Sequence, residues 1–223
     1  MRTAFAAIVF ASLHFATPDA HLRARRAMEE AKQTANPVRL LVLAMQIKDS
    51  LDEALRADPE NVQVRLDLVR FYMTTPKIVG GHWNEARAEA EEIAKRDAVL
   101  GTFARGYILY RQGDFGPARI ELREAVRTAK DPATKALAQK WLGWLSQETQ
   151  QWDEAFAMFE ALRASDASAT YEIARTSVFC SCEIERGRAA VREYLRGKDR
   201  EHVDEAKKLL AKLTPSANRR RAP

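Results

Sequence analysis

The sequence predicts an all-α protein in which antiparallel helix pairs stack on one another as an α-solenoid. The composition favours helix, because Ala, Leu, Glu and Arg abound while only 9 of the 223 residues are Gly. Residues 102–160 also carry one pattern twice. Phe115 corresponds to Trp152 and Ala118 to Ala155, and both pairs stand 37 residues apart. This spacing is close to the period of about 34 residues that is typical of helix-turn-helix repeats.

The charge distribution argues against a nucleic-acid-binding protein. The formal net charge is +5 and charged residues make up 30% of the chain, but acidic side chains are interleaved with basic ones along most predicted helices. A mixed, solvated surface is therefore favoured over a basic stripe that would track phosphates. After the first 20 residues no apolar run is long enough to cross a membrane. We expect neither a nucleic-acid partner nor a transmembrane segment in the mature chain.

The N-terminus has the pattern of a secretory signal peptide. Met1-Arg-Thr gives a positive start, and the apolar run from Ala4 to Ala16 is too short to anchor the chain across a bilayer. We assign residues 1–20 to a signal peptide that is cleaved near Ala20, which predicts a periplasmic or secreted protein. In the alternative interpretation this segment is a short N-terminal core helix, or the start codon is wrongly chosen, and the protein is cytoplasmic.

Three helices are predicted before the first glycine-containing loop. The first, residues 21–34, is polar and basic, and Asn36-Pro37 then breaks and restarts the chain. The second ends before Pro59, which cannot continue a helix, and the third covers residues 62–73. The second helix is expected to carry one continuous apolar face, formed by Leu40, Leu41, Leu43, Ala44, Ile47, Leu51, Ala54 and Leu55.

A loop over residues 74–82 separates the third helix from the fourth. Gly80-Gly81 permits backbone angles that other residues avoid. A phosphate-binding interpretation is weak, since no predicted strand precedes the pair and neither a third glycine nor a suitably placed lysine accompanies it. The fourth helix, residues 83–95, has a charged outer side. Its inner side is expected to consist of Trp83, Ala86, Ala90 and Ile93.

The duplicated stretch predicts two further helix pairs. Residues 99–111 pair with residues 115–128, and residues 134–148 pair with residues 152–164. Asp131 stands between the pairs and is a candidate N-cap. A helix pair with one apolar stripe cannot hide that stripe alone, so we expect the pairs to stack.

The C-terminal part is predicted to close the stack. A buried helix over residues 170–184 leads through a turn at residues 185–187 into a short helix that stops at Gly197. The last helix, residues 201–213, has one apolar and one charged face, as a terminal cap requires. Residues 214–223 are predicted to be a disordered basic tail, for which two roles stay open: weak contact with an anionic envelope surface, or solubilisation alone. The apolar residues of the buried helix are Ile173, Ala174, Val178, Phe179 and Ile184.

These motifs resemble a known family. The stretch Gly106-Tyr-Ile-Leu-Tyr-Arg-Gln-Gly-Asp-Phe-Gly-Pro-Ala118 is similar to a tetratricopeptide repeat (TPR), and Leu142-Gly143 with Trp152, Ala155 and Phe159 is similar to the next one. Residues 71–86 and 171–195 resemble parts of bacterial exported TPR-containing proteins, so the likeness covers roughly residues 52–195. The resemblance implies a right-handed superhelix over residues 21–213. It also implies a non-catalytic scaffold that binds a protein or peptide in its concave groove.

The resemblance further implies where a partner binds, because the first helix of each pair usually lines the groove in this family. The matching positions form three stripes: Leu66, Arg70 and Met73; Phe103, Tyr107 and Tyr110; Lys140, Trp144 and Gln147. Rigid aromatic rings beside Arg and Lys suit an extended peptide, or a helix, that has an acidic or carboxylate feature. Core packing and partner contact both stay open for Phe103, Tyr107 and Trp144. We favour partner contact for Arg70, Tyr110 and Lys140.

Neither a catalytic site nor a cofactor is predicted. His21, His82 and His202 lack the spacing of a metal site, and the sequence contains no nucleophile elbow or nucleotide-binding loop. Cys180 and Cys182 stand two apart, so on an unbroken helix they point to opposite sides and are badly placed to form a disulfide or share a metal. We therefore expect buried, inert thiols. A thiol-dependent redox or metal-handling role is kept as the alternative function.

Overall fold

The computed structural model describes residues 18–199 and 201–214, and this part of the chain is almost entirely helical. It contains eleven α-helices, one 3-10 turn and no strand among the described residues. The chain divides after Glu92 into two compact units. The predicted all-α class is confirmed. The helices are α1 (Pro18–Gln33), α2 (Pro37–Ala57), α3 (Val62–Thr74), α4 (Trp83–Arg96), α5 (Ala98–Gln112), α6 (Phe115–Thr128), α7 (Pro132–Glu148), α8 (Trp152–Leu162), α9 (Ser168–Cys180), α10 (Ile184–Arg196) and α11 (Val203–Leu213).

Two predicted segments fall largely or wholly outside the described ranges. They are residues 1–17 of the predicted signal peptide and residues 215–223 of the predicted basic tail. Pro18, Asp19 and Ala20 belong to the first turn of α1, so cleavage near Ala20 would cut within that turn. Across residues 18–199 and 201–214, no helix combines the length and apolar character needed to cross a bilayer.

Side-chain caps set several helix starts. The Asn36 side chain accepts hydrogen bonds from the backbone N–H groups of Val38, at 3.0 Å, and Arg39, at 3.1 Å. Asp131 accepts from the backbone N–H of Thr134 at 2.8 Å, which confirms the predicted N-cap. Each cap satisfies backbone donors that have no partner within their own helix. Proline follows each of these caps in the first helical turn, where its missing N–H costs nothing.

The first unit buries one face of α2 and leaves the other face apolar and exposed. Leu43, Ile47 and Leu51 lie in the core, but Leu40 and Leu41 are 38% and 45% exposed. The predicted continuous face is therefore wrong for these two leucines. The first half of α2 is apolar on several sides, and the side away from the neighbouring helices cannot be covered by them. Val38, Val42 and Met45 are also exposed there.

The prediction that Trp83 lies on the inner side of its helix is wrong. Ala86 and Ala90 of α4 are fully buried as expected, whereas the Trp83 side chain is 50% exposed. Trp83 is the first residue of α4. Its side chain therefore lies at the end of the helix rather than along the packed stripe that the two alanines form.

The backbone conformation of the loop over residues 74–82 explains why it contains two adjacent glycines. Gly80 has a φ of 100°, which favours glycine, and follows the 3-10 turn Lys77–Val79. A Cβ atom on Gly81 would lie 1.6 Å from the carbonyl oxygen of Thr75. Both glycines are thus required by the turn, and no phosphate-binding role is needed to account for them.

The second unit is a stack of helix pairs. Helix α5 pairs with α6, α7 with α8 and α9 with α10, while α6 contacts α7, α8 contacts α9, and α11 packs on α9 and α10. The repeated glycines allow this packing. A Cβ atom on Gly106 would lie 2.9 Å from Leu122 Cγ, and one on Gly143 would lie 2.7 Å from Phe159 Cζ. The sequence match between the two repeats therefore corresponds to the same close helix contact made twice.

The turn between α9 and α10 differs from the prediction. Helix α9 ends at Cys180 rather than residue 184, and residues 185–187 lie in α10 rather than in a turn. Cys180 and Cys182 form a disulfide with a Cα–Cα distance of 5.1 Å, so the expected inert thiols are wrong. The helix breaks here because two residues two apart on a helix cannot bring their sulfur atoms together. Phe179, expected to be buried, is 53% exposed beside this break, and Ile184 is exposed at the start of α10.

The disulfide contributes little net stability to this turn. Closing a loop between residues with a sequence separation of 2 stabilises a protein by about 1.5 kcal/mol in the loop-entropy treatment. Ser181 and Glu183 have φ values of 53° and 48°. Left-handed backbone costs a residue with a Cβ atom about 1–2 kcal/mol. The turns after α5 and α7 each contain one left-handed residue and no disulfide, so the bridge accounts for one of the two here, and its cost and gain are of similar size. A role as a stabilising crosslink therefore does not explain the bridge.

Candidate partner-binding surface

An aromatic cluster connects the first helices of two successive pairs in the second unit. The Trp141 ring on α7 lies 5.5 Å from the ring of Tyr110 on α5 and 4.9 Å from the ring of Trp144, centroid to centroid. It also lies 4.6 Å from the buried Tyr107 ring. Tyr110, Trp141 and Trp144 are each partly exposed. Edge-to-face contacts of this kind hold the rings in fixed positions while part of each remains open to solvent.

Tyr110 is held by a charged acceptor on α7. Its hydroxyl donates a hydrogen bond of 2.6 Å to the Glu148 carboxylate. Burial, together with this hydrogen bond, raises the pKa of the Tyr110 phenol well above its ordinary value. The phenol therefore stays protonated and keeps donating across the neutral and mildly alkaline range.

Lys140 links α7 to the start of α9. Its Nζ donates to Asp166 Oδ2 at 2.8 Å and to Ser168 Oγ at 3.0 Å, and it lies 5.5 Å from the Trp144 ring centroid. Burial alone would raise the pKa of Asp166, but the hydrogen bonds from Lys140 and Ser168 hold it below its ordinary value. Lys140 is thus a fixed cation beside the partly exposed indole ring of Trp144.

A buried polar network joins α7 to α9. Gln147 Nε2 donates to Thr176 Oγ1 at 2.8 Å and to Glu172 Oε2 at 3.2 Å, while Gln147 Oε1 accepts from Arg175 at 3.0 Å. The Arg175 guanidinium lies 5.3 Å from the ring centroid of the exposed Phe179. These hydrogen bonds fix the α9 side chains relative to those of α7.

The structure brings one set of partly exposed side chains together on α5, α7 and α9. We call this set the Trp141 surface. It consists of the rings of Tyr110, Trp141 and Trp144 on α5 and α7, the cations Lys140 and Arg175, and the ring of Phe179 on α9.

Five of the nine residues predicted to line a groove lie in the core instead. Phe103 is 0% exposed and stacks on Tyr107 with 6.4 Å between ring centroids. Core packing is therefore the outcome for this pair, since neighbouring helices cover both rings. The buried residues are Leu66, Met73, Phe103, Tyr107 and Gln147. Trp144 is partly exposed, as are Arg70, Tyr110 and Lys140.

Arg70 belongs to the first unit and has an internal partner. Its guanidinium donates to Asp67 Oδ1 at 2.9 Å, and the other oxygen of this buried carboxylate lies 2.9 Å from His21 Nε2 and 3.7 Å from Arg25 Nε. Removing Arg70 would weaken this internal network. An effect of Arg70→Ala on partner binding would therefore be ambiguous, and we leave this residue out of the Trp141 surface.

Sequence reasoning missed Trp141, Glu148, Arg175 and Phe179. Trp141 belongs to none of the three predicted stripes, because the stripe on this helix runs through Lys140 and Trp144 at helical spacing. No sequence signal marks Trp141, because its position becomes informative only beside Tyr110 of α5. Arg175 and Phe179 stand four apart on α9, a spacing that places them on one face. Within the described ranges, no group of three His, Cys, Asp or Glu side chains is arranged to hold a metal ion.

Solved structures identify the fold. PilW, a widely conserved type IV pilus biogenesis factor, is similar with a TM-score of 0.58 and 18% sequence identity, over 88% of this chain and 88% of its own. PilF of Pseudomonas aeruginosa is similar with a TM-score of 0.55 and 18% identity, over 87% of this chain and 89% of its own. Both are TPR proteins. This chain has the TPR fold.

The TPR fold is supported by structure rather than by sequence similarity. The sequence matches no protein-family model and no curated protein. YrrB, described as a TPR protein with an unusual peptide-binding site, has a TM-score of 0.49 and 19% identity, over 83% of this chain and 97% of its own. The likeness to PilW and PilF confirms the predicted stacking of TPR-like helix pairs at the level of the fold.

Proposed function

We propose that the protein is a non-catalytic scaffold that binds a peptide or protein segment on the Trp141 surface. The observation that carries the proposal is the set of partly exposed rings on α5 and α7, with the Lys140 ammonium held against Trp144. Large aromatic side chains that are already ordered lose little conformational entropy when a partner covers them. TPR proteins of similar structure act as interaction scaffolds, which supports the same general role.

The chemistry of this surface favours a segment with an apolar side chain next to a carboxylate or backbone carbonyl group. The rings of Trp141 and Phe179 offer apolar area, while Lys140 and Arg175 offer donors. Both cations already face acidic neighbours, Asp166 and Glu172. A partner carboxylate therefore has to share these cations, which favours specificity over high affinity.

We propose the periplasm or the outer cell envelope as the setting. Residues 1–20 have the sequence pattern of a signal peptide. PilW, which has a similar fold, is a pilus biogenesis factor, and a role in envelope assembly is compatible with such a likeness. Mass spectrometry of the N-terminus of protein purified from its native cells tests this proposal. A mature N-terminus near residue 21 is expected, and an intact Met1 in the cytoplasmic fraction would contradict it.

Variant-dependent capture from envelope extract tests the binding surface. We expect the variant Phe179→Ser to retain less than about a tenth of the partner that the unaltered protein captures, since interface anchors often contribute 2 kcal/mol or more. Ile120→Ser is the matched control, because Ile120 is a 71% exposed apolar residue on α6, outside the Trp141 surface. Equal capture by all three proteins, each with an unchanged circular dichroism spectrum, would remove this surface from the proposal.

A further inference from the structure

The turn that joins α9 to α10 contains a disulfide that the helix pairing does not require. Cys180 and Cys182 are both partly exposed, and Ser181 and Glu183 beside them are exposed. The corresponding turns of the two preceding pairs contain no cysteine. Gly113, with a φ of 85°, forms the turn between α5 and α6, and Gln150, with a φ of 58°, forms the turn between α7 and α8. A single left-handed residue is therefore sufficient to connect such a pair.

Contacts other than the disulfide hold α9 against α10. The Ser177 hydroxyl donates to the Glu183 carbonyl oxygen at 3.3 Å. A Cβ atom on Gly187 would lie 2.5 Å from Ser177 Cβ, so the two helices touch at this point. The pair can therefore keep its packing when the sulfur–sulfur bond opens. Opening would also allow one of Ser181 and Glu183 to leave the left-handed backbone that neither residue favours, since one such residue suffices to connect the other pairs.

We propose that Cys180 and Cys182 form a reversible thiol–disulfide exchange site that takes electrons from an external dithiol. The proposal goes beyond the scaffold function and does not depend on it. Its basis is a partly exposed bridge in a turn with two left-handed residues, between helices that pack without it. Exposed or strained disulfides are the ones that exchange readily, whereas buried relaxed ones resist reduction.

The hydrogen bonding of the bridge assigns different roles to the two sulfur atoms. The backbone N–H of Cys182 donates to Cys180 Sγ at 3.1 Å. A donor at this sulfur stabilises the thiolate that forms when the bond breaks. Cys180 is therefore the better leaving group, and the incoming thiolate is expected to attack Cys182.

The reaction balances as a two-electron exchange. One thiolate of the dithiol attacks Cys182 Sγ, and a mixed disulfide forms as the Cys180–Cys182 bond breaks. Cys180 Sγ leaves with the bonding electron pair and takes a proton from solvent. The second thiolate then attacks the reagent sulfur of the mixed disulfide and releases Cys182, which is protonated in turn. The dithiol is oxidised to a cyclic disulfide, and the protein gains two thiols.

Equilibration of the full chain with reduced and oxidised dithiothreitol tests the proposal. We expect alkylation and mass spectrometry to detect both thiols while the circular dichroism spectrum stays that of the folded protein. The variant Ser181→Gly/Glu183→Gly adopts the left-handed turn without the cost of a Cβ atom, so its disulfide should be harder to reduce. The ratio of reduced to oxidised dithiothreitol at which half of the protein is reduced should therefore rise on the order of tenfold. Gln150→Gly, the same change at the turn without cysteines, should leave the ratio unaltered. Reduction that occurs only when the protein unfolds would overturn the proposal.

Two further measurements separate exchange from a structural role. Brief treatment with glutathione, quenched by acid, should place glutathione on Cys182, and its location on Cys180 would overturn the assigned direction of attack. The variant Cys180→Ser/Cys182→Ser should unfold within about 3 °C of the unaltered protein, because little net stability is lost. A much larger decrease would show that the bridge is a structural crosslink and would overturn the proposal.

Discussion

Close packing at a single residue, Gly143, controls how tightly α7 and α8 approach. A methyl group there would lie 2.7 Å from Cζ of Phe159, whose side chain is itself fully buried. We expect Gly143→Ala to lower the free energy of unfolding by about 1–3 kcal/mol through overpacking, although alanine is the better helix former. Urea unfolding followed by circular dichroism measures the change.

Gly116 supplies the control for this substitution. It lies in α6, and a Cβ atom there would meet no atom within 4 Å. Gly116→Ala is therefore expected to leave the free energy of unfolding unchanged or to raise it by up to about 1 kcal/mol. If both variants showed the same change, the close contact at Phe159 would not be the cause.

The ion pair of Lys140 gives a second prediction at the residue scale, on pH dependence. Hydrogen bonds hold the pKa of Asp166 below its ordinary value in the folded protein, so its stabilising effect is complete above the unfolded pKa. That effect is lost as the pH falls through the folded pKa. We expect Asp166→Asn to cost roughly 1 kcal/mol at pH 7 and progressively less as the pH is lowered below about 4. Unfolding of both proteins across this pH range measures the difference.

The variant Lys140→Met tests the source of this pH dependence. Without its principal donor, Asp166 should lose most of the depression of its pKa. Substituting Asp166→Asn in the Lys140→Met background should therefore give a difference that changes little with pH. A pH dependence as steep as before would assign the effect to another group.

At the scale of the element, helix starts follow from the sequence where one residue carries the whole signal. Asn36 with Pro37, and Asp131 with Pro132, mark the starts of α2 and α7 because the cap and the proline act on their own backbone. The repeated glycines and aromatic residues could also be predicted from the sequence, because Gly143 and Phe159 lie in contact within a single helix pair. These features depend on local chemistry or on one neighbouring helix.

Features that depend on bond formation or on more distant packing could not be predicted from the sequence. Helix α9 ends at Cys180, beside the disulfide to Cys182, and the apolar run from Ile173 to Ile184 gives no sign of either. Helical periodicity likewise placed Trp83 and Phe179 inward, although no helix covers either ring fully. Trp141 was missed because its position on α7 indicates a surface site only when Tyr110 of α5 is seen to lie beside it.

The Asn36 cap provides a prediction at the element scale. Its side chain satisfies two backbone N–H groups of α2, and alanine cannot replace that acceptor. We expect Asn36→Ala to reduce the free energy of unfolding by about 1 kcal/mol. Gln151→Ala is the matched control, because Gln151 precedes α8 without a side-chain capping hydrogen bond, and it should change stability by no more than about 0.5 kcal/mol.

At the scale of the whole molecule, the TPR fold makes stability a sum of contacts between successive elements. In the second unit, α11 covers the last pair, and Leu209 and Leu213 lie buried with Tyr171, Val191 and Tyr194. Each helix pair contacts its neighbours, so a loss at α11 should act first on α9 and α10 and less on α5 and α6. This expectation separates a stacked array from a single cooperative core.

Shortening the buried side chains of α11 tests the expectation. Leu209→Ala/Leu213→Ala should lower the stability of the last pair by about 4–8 kcal/mol, because each leucine leaves a cavity that costs about 2–4 kcal/mol. Amide hydrogen exchange should then accelerate most in α9 and α10 and progressively less toward α5. Lys207→Ala/Lys208→Ala, on the exposed side of the same helix, should leave exchange unchanged. Uniform acceleration from α5 to α10 would show that the second unit unfolds as one cooperative block, so that the repeat-by-repeat description of its stability fails.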